Sequence, residues 1–185
     1  EENREKMVNF YNVQTWLNQN TQTGSLVHWP PGRAYGGREY SQRPSYGVAR
    51  EWMHTAWLYS MDAKKFDLGV QRYINLTGEH PVDVVAGRFD PIGKGYKDLI
   101  DTAASAYNNI GTRKKFNYLK EANVDYFIVN KKKPDIHKIH QVEYRSGDWT
   151  IVKPFGNKDI HYKSNERSHR KTIKHKSYIG GGAML

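Results

Sequence analysis

Apolar side chains recur at spacings of three and four residues along much of the chain. The stretch 7–18 shows this pattern with Phe10, Val13 and Leu17, and it follows three glutamates, which favour the N-terminus of a helix. The same spacing recurs in the stretches 45–60, 62–77, 97–109 and 112–123. Because side chains three and four residues apart share one face of an α-helix, these stretches predict helices with one buried face.

Short apolar runs bounded by glycine, proline and polar residues predict the strands. They lie at 25–29, 82–86, 125–129, 139–144 and 149–154, and residues 145–148 predict the turn of a hairpin between the last two. Helices that alternate with buried strands predict an α/β fold: a three-layer domain with a mixed, mainly parallel sheet closed by a C-terminal β-hairpin. We place this domain at residues 1–155 and a basic tail, poor in apolar residues, at 156–185.

A loop rich in proline, glycine and arginine, residues 29–43, follows the first predicted strand. In α/β units such loops commonly carry the working groups. Guanidinium groups suit bidentate recognition of phosphate or carboxylate, and interleaved tyrosines can stack on a sugar or a base. The residues predicted here to bind an anionic or glycan ligand are Arg33, Tyr35, Arg38, Tyr40, Arg43 and Arg50. The alternative is that these arginines pair with Glu39 and Glu51 and only fix the loop.

A second loop of interest covers residues 87–96. Gly93 and Gly95 flank Lys94, which would let backbone N–H groups and the lysine ammonium approach a phosphate. The spacing matches neither the P-loop nor the dinucleotide-binding fingerprint. Lys94 joins the predicted ligand-binding residues, with a plain flexible loop as the alternative.

The acid–base candidates near the arginine loop are Glu39, Glu51 and His54. Glu51 and His54 are three residues apart and would share a helical face, where a role as structural partners is the alternative. His137 and His140 lack the further ligands that zinc enzymes show. The sequence therefore predicts no metal and no cofactor, and we expect no catalysis by the chain on its own.

The charge of the chain points to an anionic partner. The formal net charge is +10, and residues 158–176 hold seven Lys or Arg against two acidic residues. This favours an alternative function as a basic structural subunit whose tail binds an acidic protein or RNA. The absence of cysteine is compatible with an extracytoplasmic location. Because the sequence begins Glu-Glu-Asn, we expect a processed product or a part of a longer protein.

Two sets of short segments carry a family resemblance. The first set is Trp16-Leu17, Asn20-Thr21, Leu26-Val27, Pro30-Pro31, Arg38-Glu39-Tyr40-Ser41-Gln42-Arg43, Glu51-Trp52 and Tyr59-Ser60. The second set is 124–129, a strand ending in Tyr-Phe-Ile-Val, followed by 142–144 and 149–152 as a hairpin. Together they resemble the carboxy-terminal extracytoplasmic part of bacterial polytopic membrane proteins related to the GT-C glycosyltransferases, over about residues 10–155.

The resemblance implies a non-catalytic accessory domain of a membrane glycosyltransferase-like protein. Such a domain would cover the active site or bind the polyprenyl-phosphate sugar donor or the glycan acceptor, since the family's catalytic carboxylate lies in an early loop of the membrane part. A membrane-embedded portion or a membrane protein would be its partner, on the periplasmic or extracellular face of the membrane. A further alternative, independent of the resemblance, is a small enzyme that acts on a phosphorylated sugar through Glu39, Glu51 or His54.

Overall fold

The computed structural model describes residues 2–32, 37–52, 63–85, 94–130, 133 and 135–154. The helices in these ranges are α1 (Glu2–Asn20), α2 (Ala63–Thr77), α3 (Pro81–Val84), α4 (Lys94–Tyr107) and α5 (Phe116–Ala122), and residues 49–52 are also helical. Short 3-10 turns lie at Arg113–Lys115 and Ile136–Lys138. The strands are β1 (Val27–His28), β2 (Tyr126–Val129), β3 (Gln141–Ser146) and β4 (Trp149–Lys153). No helix in the described part of the chain is both long and apolar enough to cross a bilayer.

The four strands form an open mixed sheet in the order β1-β2-β4-β3. β1 is parallel to β2, with Val27 opposite Tyr126, whereas β4 is antiparallel to both β2 and β3. Ser146 pairs with Trp149, so the turn between β3 and β4 is the two residues Gly147 and Asp148, and Gly147 has φ +56°. The mixed α/β fold is confirmed, but of the strand pairings described here only one is parallel, so the sheet is not mainly parallel in this part of the chain.

Alternate residues of the sheet belong to two different apolar clusters. Phe127 of β2 packs in one cluster with residues of α2, α4 and α5, including Tyr73 and Leu119. Its neighbour Ile128 packs in the other cluster, with Val13 and Leu17 of α1. Since successive side chains of a strand point to opposite faces, β2 separates the two clusters and both of its faces are buried.

Most elements lie where the periodicity predicts them. The helices predicted at 7–18, 62–77 and 97–109 are confirmed as α1, α2 and α4, and the stretch 112–123 contains a 3-10 turn followed by α5. The helix predicted at 45–60 is helical only from residue 49, because Ser45 forms a β-bridge with Val27. Residues 53–60 and the predicted tail 156–185 lie outside the described residues.

The strand predicted at 82–86 is wrong. Residues Pro81–Val84 form the short helix α3, and Val82 is 64% exposed rather than buried. His80 caps this helix, since its side chain accepts a hydrogen bond from the backbone N–H of Val82 at 3.2 Å. Proline at the first helical position has the backbone angle that a helix start needs, so the cap and Pro81 override the β-branched run.

Candidate functional site

The arginine loop is held against the core through Trp29. This indole is buried, and a Cβ atom added to Gly37 would lie 2.8 Å from its ring carbons. The backbone of Gly37 therefore lies directly on the indole, a position that only glycine fills without displacing the ring. Arg38 and Tyr40 follow immediately, so their placement depends on this contact.

Arg38 and Glu51 form an ion pair at the surface. Nη2 of Arg38 donates to Oε1 of Glu51, and the two side chains are 58% and 39% exposed. The second carboxylate oxygen of Glu51, Oε2, accepts the backbone N–H of Val48 at 3.2 Å. Val48 in turn accepts the first helical hydrogen bond, from Trp52 N, at 3.0 Å. Glu51 thus closes half of a capping box on the helical turn 49–52 while it also holds Arg38.

Tyr40, two residues after Arg38, presents part of its ring to solvent. Its side chain is 54% exposed and meets the ring of Tyr11, on α1, edge to face at a centroid distance of 4.8 Å. The backbone of Tyr40 is fixed from both sides, since its N–H donates to Oε1 of Gln14 at 3.1 Å and its carbonyl accepts from Nδ2 of Asn18 at 3.0 Å. A fixed backbone with a partly exposed ring is a suitable stacking platform. We call Tyr11, Arg38, Tyr40 and Glu51 the Tyr40 surface.

Arg43 does not lie on this surface. It is buried, and its guanidinium donates to the carbonyl oxygens of Asn18, Thr21, Ser41 and Gln42 and to the hydroxyl of Thr21. These five hydrogen bonds match the five N–H groups of an arginine, so none is left for a ligand. The structure therefore corrects the prediction for Arg43: its role is to join the loop to the C-terminal end of α1.

The remaining predicted residues are only partly placed. Arg33, Tyr35 and His54 lie outside the described residues, as does the side chain of Lys94, although its backbone begins α4. Arg50 is half-buried in the helical turn 49–52. Glu39 is exposed between Arg38 and Tyr40. Of the predicted set, the structure therefore pairs Arg38 with Glu51 and exposes Tyr40, and it adds the contact of Tyr40 with Tyr11.

A buried histidine at the end of β1 was missed by the sequence reasoning. His28 has no exposed surface, and its ring packs against the rings of Tyr46 and Tyr107 at centroid distances of 4.8 and 5.0 Å. Nδ1 lies 3.0 Å from the carbonyl oxygen of Trp29, and Nε2 lies 2.5 Å from the hydroxyl of Tyr118. A carbonyl only accepts, so Nδ1 carries the proton and the neutral ring accepts from Tyr118 through Nε2.

Burial lowers the pKa of His28 to about 3; the Trp29 carbonyl opposes this shift and the charge of Arg72 adds to it. Arg72 lies outside the ring cluster, with its guanidinium carbon 4.5 Å from the centroid of Tyr46 and Nη1 donating to the Tyr46 carbonyl at 2.7 Å. Because the imidazole is neutral and sealed from solvent, this cluster is structural. Its members come from separate stretches of the chain, so no local sequence signal predicts it.

No group of three or more His, Asp or Glu side chains converges as a metal-binding cluster among the residues that the structure describes. Comparison of the chain with protein-family models, with curated proteins and with solved structures gives no significant match.

Proposed function

We propose that this chain is a non-catalytic accessory domain that recognises an anionic or glycan ligand through the Tyr40 surface. The observation that carries the proposal is that an exposed aromatic ring, Tyr40, and an exposed guanidinium, Arg38, lie two residues apart in one loop. Aromatic rings pack against the apolar faces of sugars, and a guanidinium recognises carboxylate or phosphate. One surface thus offers both kinds of contact within a few residues.

The other chemistry in this region supports binding rather than catalysis. Both carboxylate oxygens of Glu51 already hold groups of the chain, Arg38 and the Val48 N–H. The one histidine fixed close to the loop in the described residues, His28, is fully buried and neutral. A general acid or base must reach the proton that it transfers, and in the unliganded domain Glu51 is engaged at both oxygens while His28 is buried.

We further propose that the domain is a three-layer part of a glycosyltransferase-like membrane protein and lies on the extracytoplasmic face. The support is the set of sequence segments that resemble that family, several of which lie wholly or partly in α1, β1, β2, β3 and β4. The ligand would then be a polyprenyl-phosphate sugar or a glycan. The native protein is expected to have a mass well above 21.5 kDa and to stay in the membrane fraction through a high-salt wash. A native protein of 21.5 kDa that salt releases from the membrane fraction would instead favour the alternative of a basic subunit of a large assembly.

The binding proposal is tested with the full chain on a panel of immobilised neutral and acidic glycans. Tyr40→Ala should weaken binding about fivefold or more, since loss of one stacking contact costs about 1–3 kcal/mol. Arg38→Ala should weaken binding of the acidic glycans selectively. Phe66→Ala and Arg113→Ala are matched controls, because both remove exposed side chains of the same type on other elements. Unchanged binding in Tyr40→Ala would show that the surface is not the site.

A further inference from the structure

We propose that Glu51 is an intramolecular competitor for the ligand, and that the ligand is a sugar carrying a negatively charged group. In the unliganded domain Glu51 occupies the position at Arg38 that this group would take. The inference rests on the proposed function, since it concerns the same surface. It specifies in addition that the ligand is negatively charged and that competition by Glu51 sets the affinity.

The first step is the accessibility of the ion pair. The side chains of Arg38 and Glu51 are both well exposed, so solvent and solutes reach the guanidinium. Exposed pairs of this kind contribute little to stability, because water screens them and both side chains lose freedom on pairing. A carboxylate or phosphate from a ligand would therefore replace Glu51 with little net loss.

The second step is that the two carboxylate oxygens of Glu51 have different partners. Oε1 accepts from Arg38, whereas Oε2 accepts from the backbone N–H of Val48. Release of Arg38 therefore leaves the cap on the helical turn 49–52 in place. Glu51 does not have to leave its position when the ligand binds, and the exchange is confined to the Arg38 side chain.

The third step is the chemistry next to Arg38. The exposed ring of Tyr40 lies two residues along the same loop, where its backbone is fixed by Gln14 and Asn18. A ligand that combines a sugar ring with a negatively charged group would find both kinds of contact within this loop. The group that Arg38 holds in the structure is a carboxylate, so a sugar carboxylate would find a matching geometry, and a sugar phosphate offers the same acceptor chemistry.

The competitor is removed by Glu51→Gln. The amide oxygen of glutamine still accepts from Val48 N–H. Its NH2 group, which takes the place of Oε1, is uncharged and only donates hydrogen bonds, so it does not bind the guanidinium. An exposed ion pair is worth up to about 1 kcal/mol, so the variant should bind a charged sugar about two- to fivefold more tightly. Glu121→Gln is the matched control, since it removes an exposed glutamate from α5.

The experiment measures binding at low salt by NMR titration of the full chain. The probes are a galacturonic acid tetramer, its uncharged methyl ester and glucose 1-phosphate. We expect Glu51→Gln, and not Glu121→Gln, to bind at least one charged probe more tightly while the methyl ester is unaffected. The charged probe with the larger gain then identifies carboxylate or phosphate as the source of the charge.

Two results would overturn the inference. One is an affinity of Glu51→Gln for both charged probes that equals that of the wild type; the other is an equal gain for the methyl ester. If Tyr40→Ala weakens binding in either case, the proposed binding surface stands and only the competitor is refuted. If neither the wild type nor Glu51→Gln binds any probe, the surface and the competitor fail together. Unfolding curves of both glutamine variants confirm that they are folded.

Discussion

The guanidinium of Arg43 donates a hydrogen bond to the carbonyl oxygen of Asn18, in the last turn of α1. The last carbonyls of a helix have no partner within the helix, and they carry its negative partial charge. Arg43 also donates to the carbonyl of Thr21, just after the helix ends. A residue that resembles an anion-binding group in the sequence thus binds the negative end of a helix.

This relationship predicts that substitution of two arginines of the same loop has a large effect on stability in one case and a small effect in the other. Arg43→Ala should lower the free energy of unfolding by about 2–4 kcal/mol, because it removes five hydrogen bonds of a buried guanidinium and leaves acceptors that are mostly part-buried unpaired. Arg38→Ala should change it by less than about 0.5 kcal/mol, because the exposed Arg38–Glu51 pair contributes little. Urea unfolding curves of both variants measure the difference, and equal effects would contradict the structural role of Arg43.

Two other helix ends receive a cation in the same way. Lys115 donates from Nζ to the carbonyl of Leu76, near the end of α2, and Lys133 donates to the carbonyl of Asn108, just after α4. Neither α2 nor α4 has a basic residue in its own last turn, and α1 also has none. Part of the positive charge of the chain therefore stabilises helix C-termini, so it does not all indicate an anionic partner.

Lys115→Met tests this role because it keeps the apolar stem and removes the charge. We expect a loss of about 0.5–1 kcal/mol in the free energy of unfolding, as for other cations at helix C-termini. The loss should shrink at high salt if the charge is responsible, since the helix partial charge is screened. Lys114→Met is the control, because Lys114 is the neighbouring residue and its side chain is exposed. A loss that is identical at low and high salt would assign the effect to packing instead.

The sequence predicts the helices well but not the partners of their polar groups. The spacing of Phe10, Val13 and Leu17 is sufficient to place α1, because a helix is a local structure. The role of Arg43 depends on acceptors more than 20 residues away along the chain, at Asn18 and Thr21. For the same reason the sequence does not predict the contact of Tyr40 with Tyr11, a residue of α1.

Gly69 of α2 lies close to the backbone of Trp52, a contact that the sequence does not predict. A Cβ atom at Gly69 would lie 2.4 Å from the carbonyl oxygen of Trp52, a backbone atom. Alanine favours helices over glycine by up to about 1 kcal/mol, but a clash of this size costs more, so Gly69→Ala should destabilise the fold by about 2 kcal/mol. Gly24→Ala is the control, since nothing lies within 4 Å of its Cβ position. Stability that is equal in the two variants would contradict the close contact.

Burial of two histidines makes the stability of the domain depend on pH. Burial lowers the pKa of His28 to about 3 and that of His140 to about 4, from 6.5 in both cases. Below pH 6.5 the unfolded chain therefore binds protons that the folded chain does not bind. The contribution of these two histidines to the free energy of unfolding should be fully present above pH 6.5. It should fall as the pH drops toward 4, by about 1.4 kcal/mol per pH unit for each histidine.

His28→Gln isolates one of these two contributions. The amide oxygen of glutamine can accept from Tyr118, as Nε2 of His28 does, but it takes up no proton. Between pH 6 and pH 4.5, we expect the two histidines to contribute about 2.8 kcal/mol per pH unit in the wild type and the remaining one about 1.4 in the variant. The measurement is the free energy of unfolding in urea at several pH values, so the slope is informative even if the variant is less stable throughout. An unchanged slope in His28→Gln would show that His28 is not one of the groups that take up a proton when the chain unfolds.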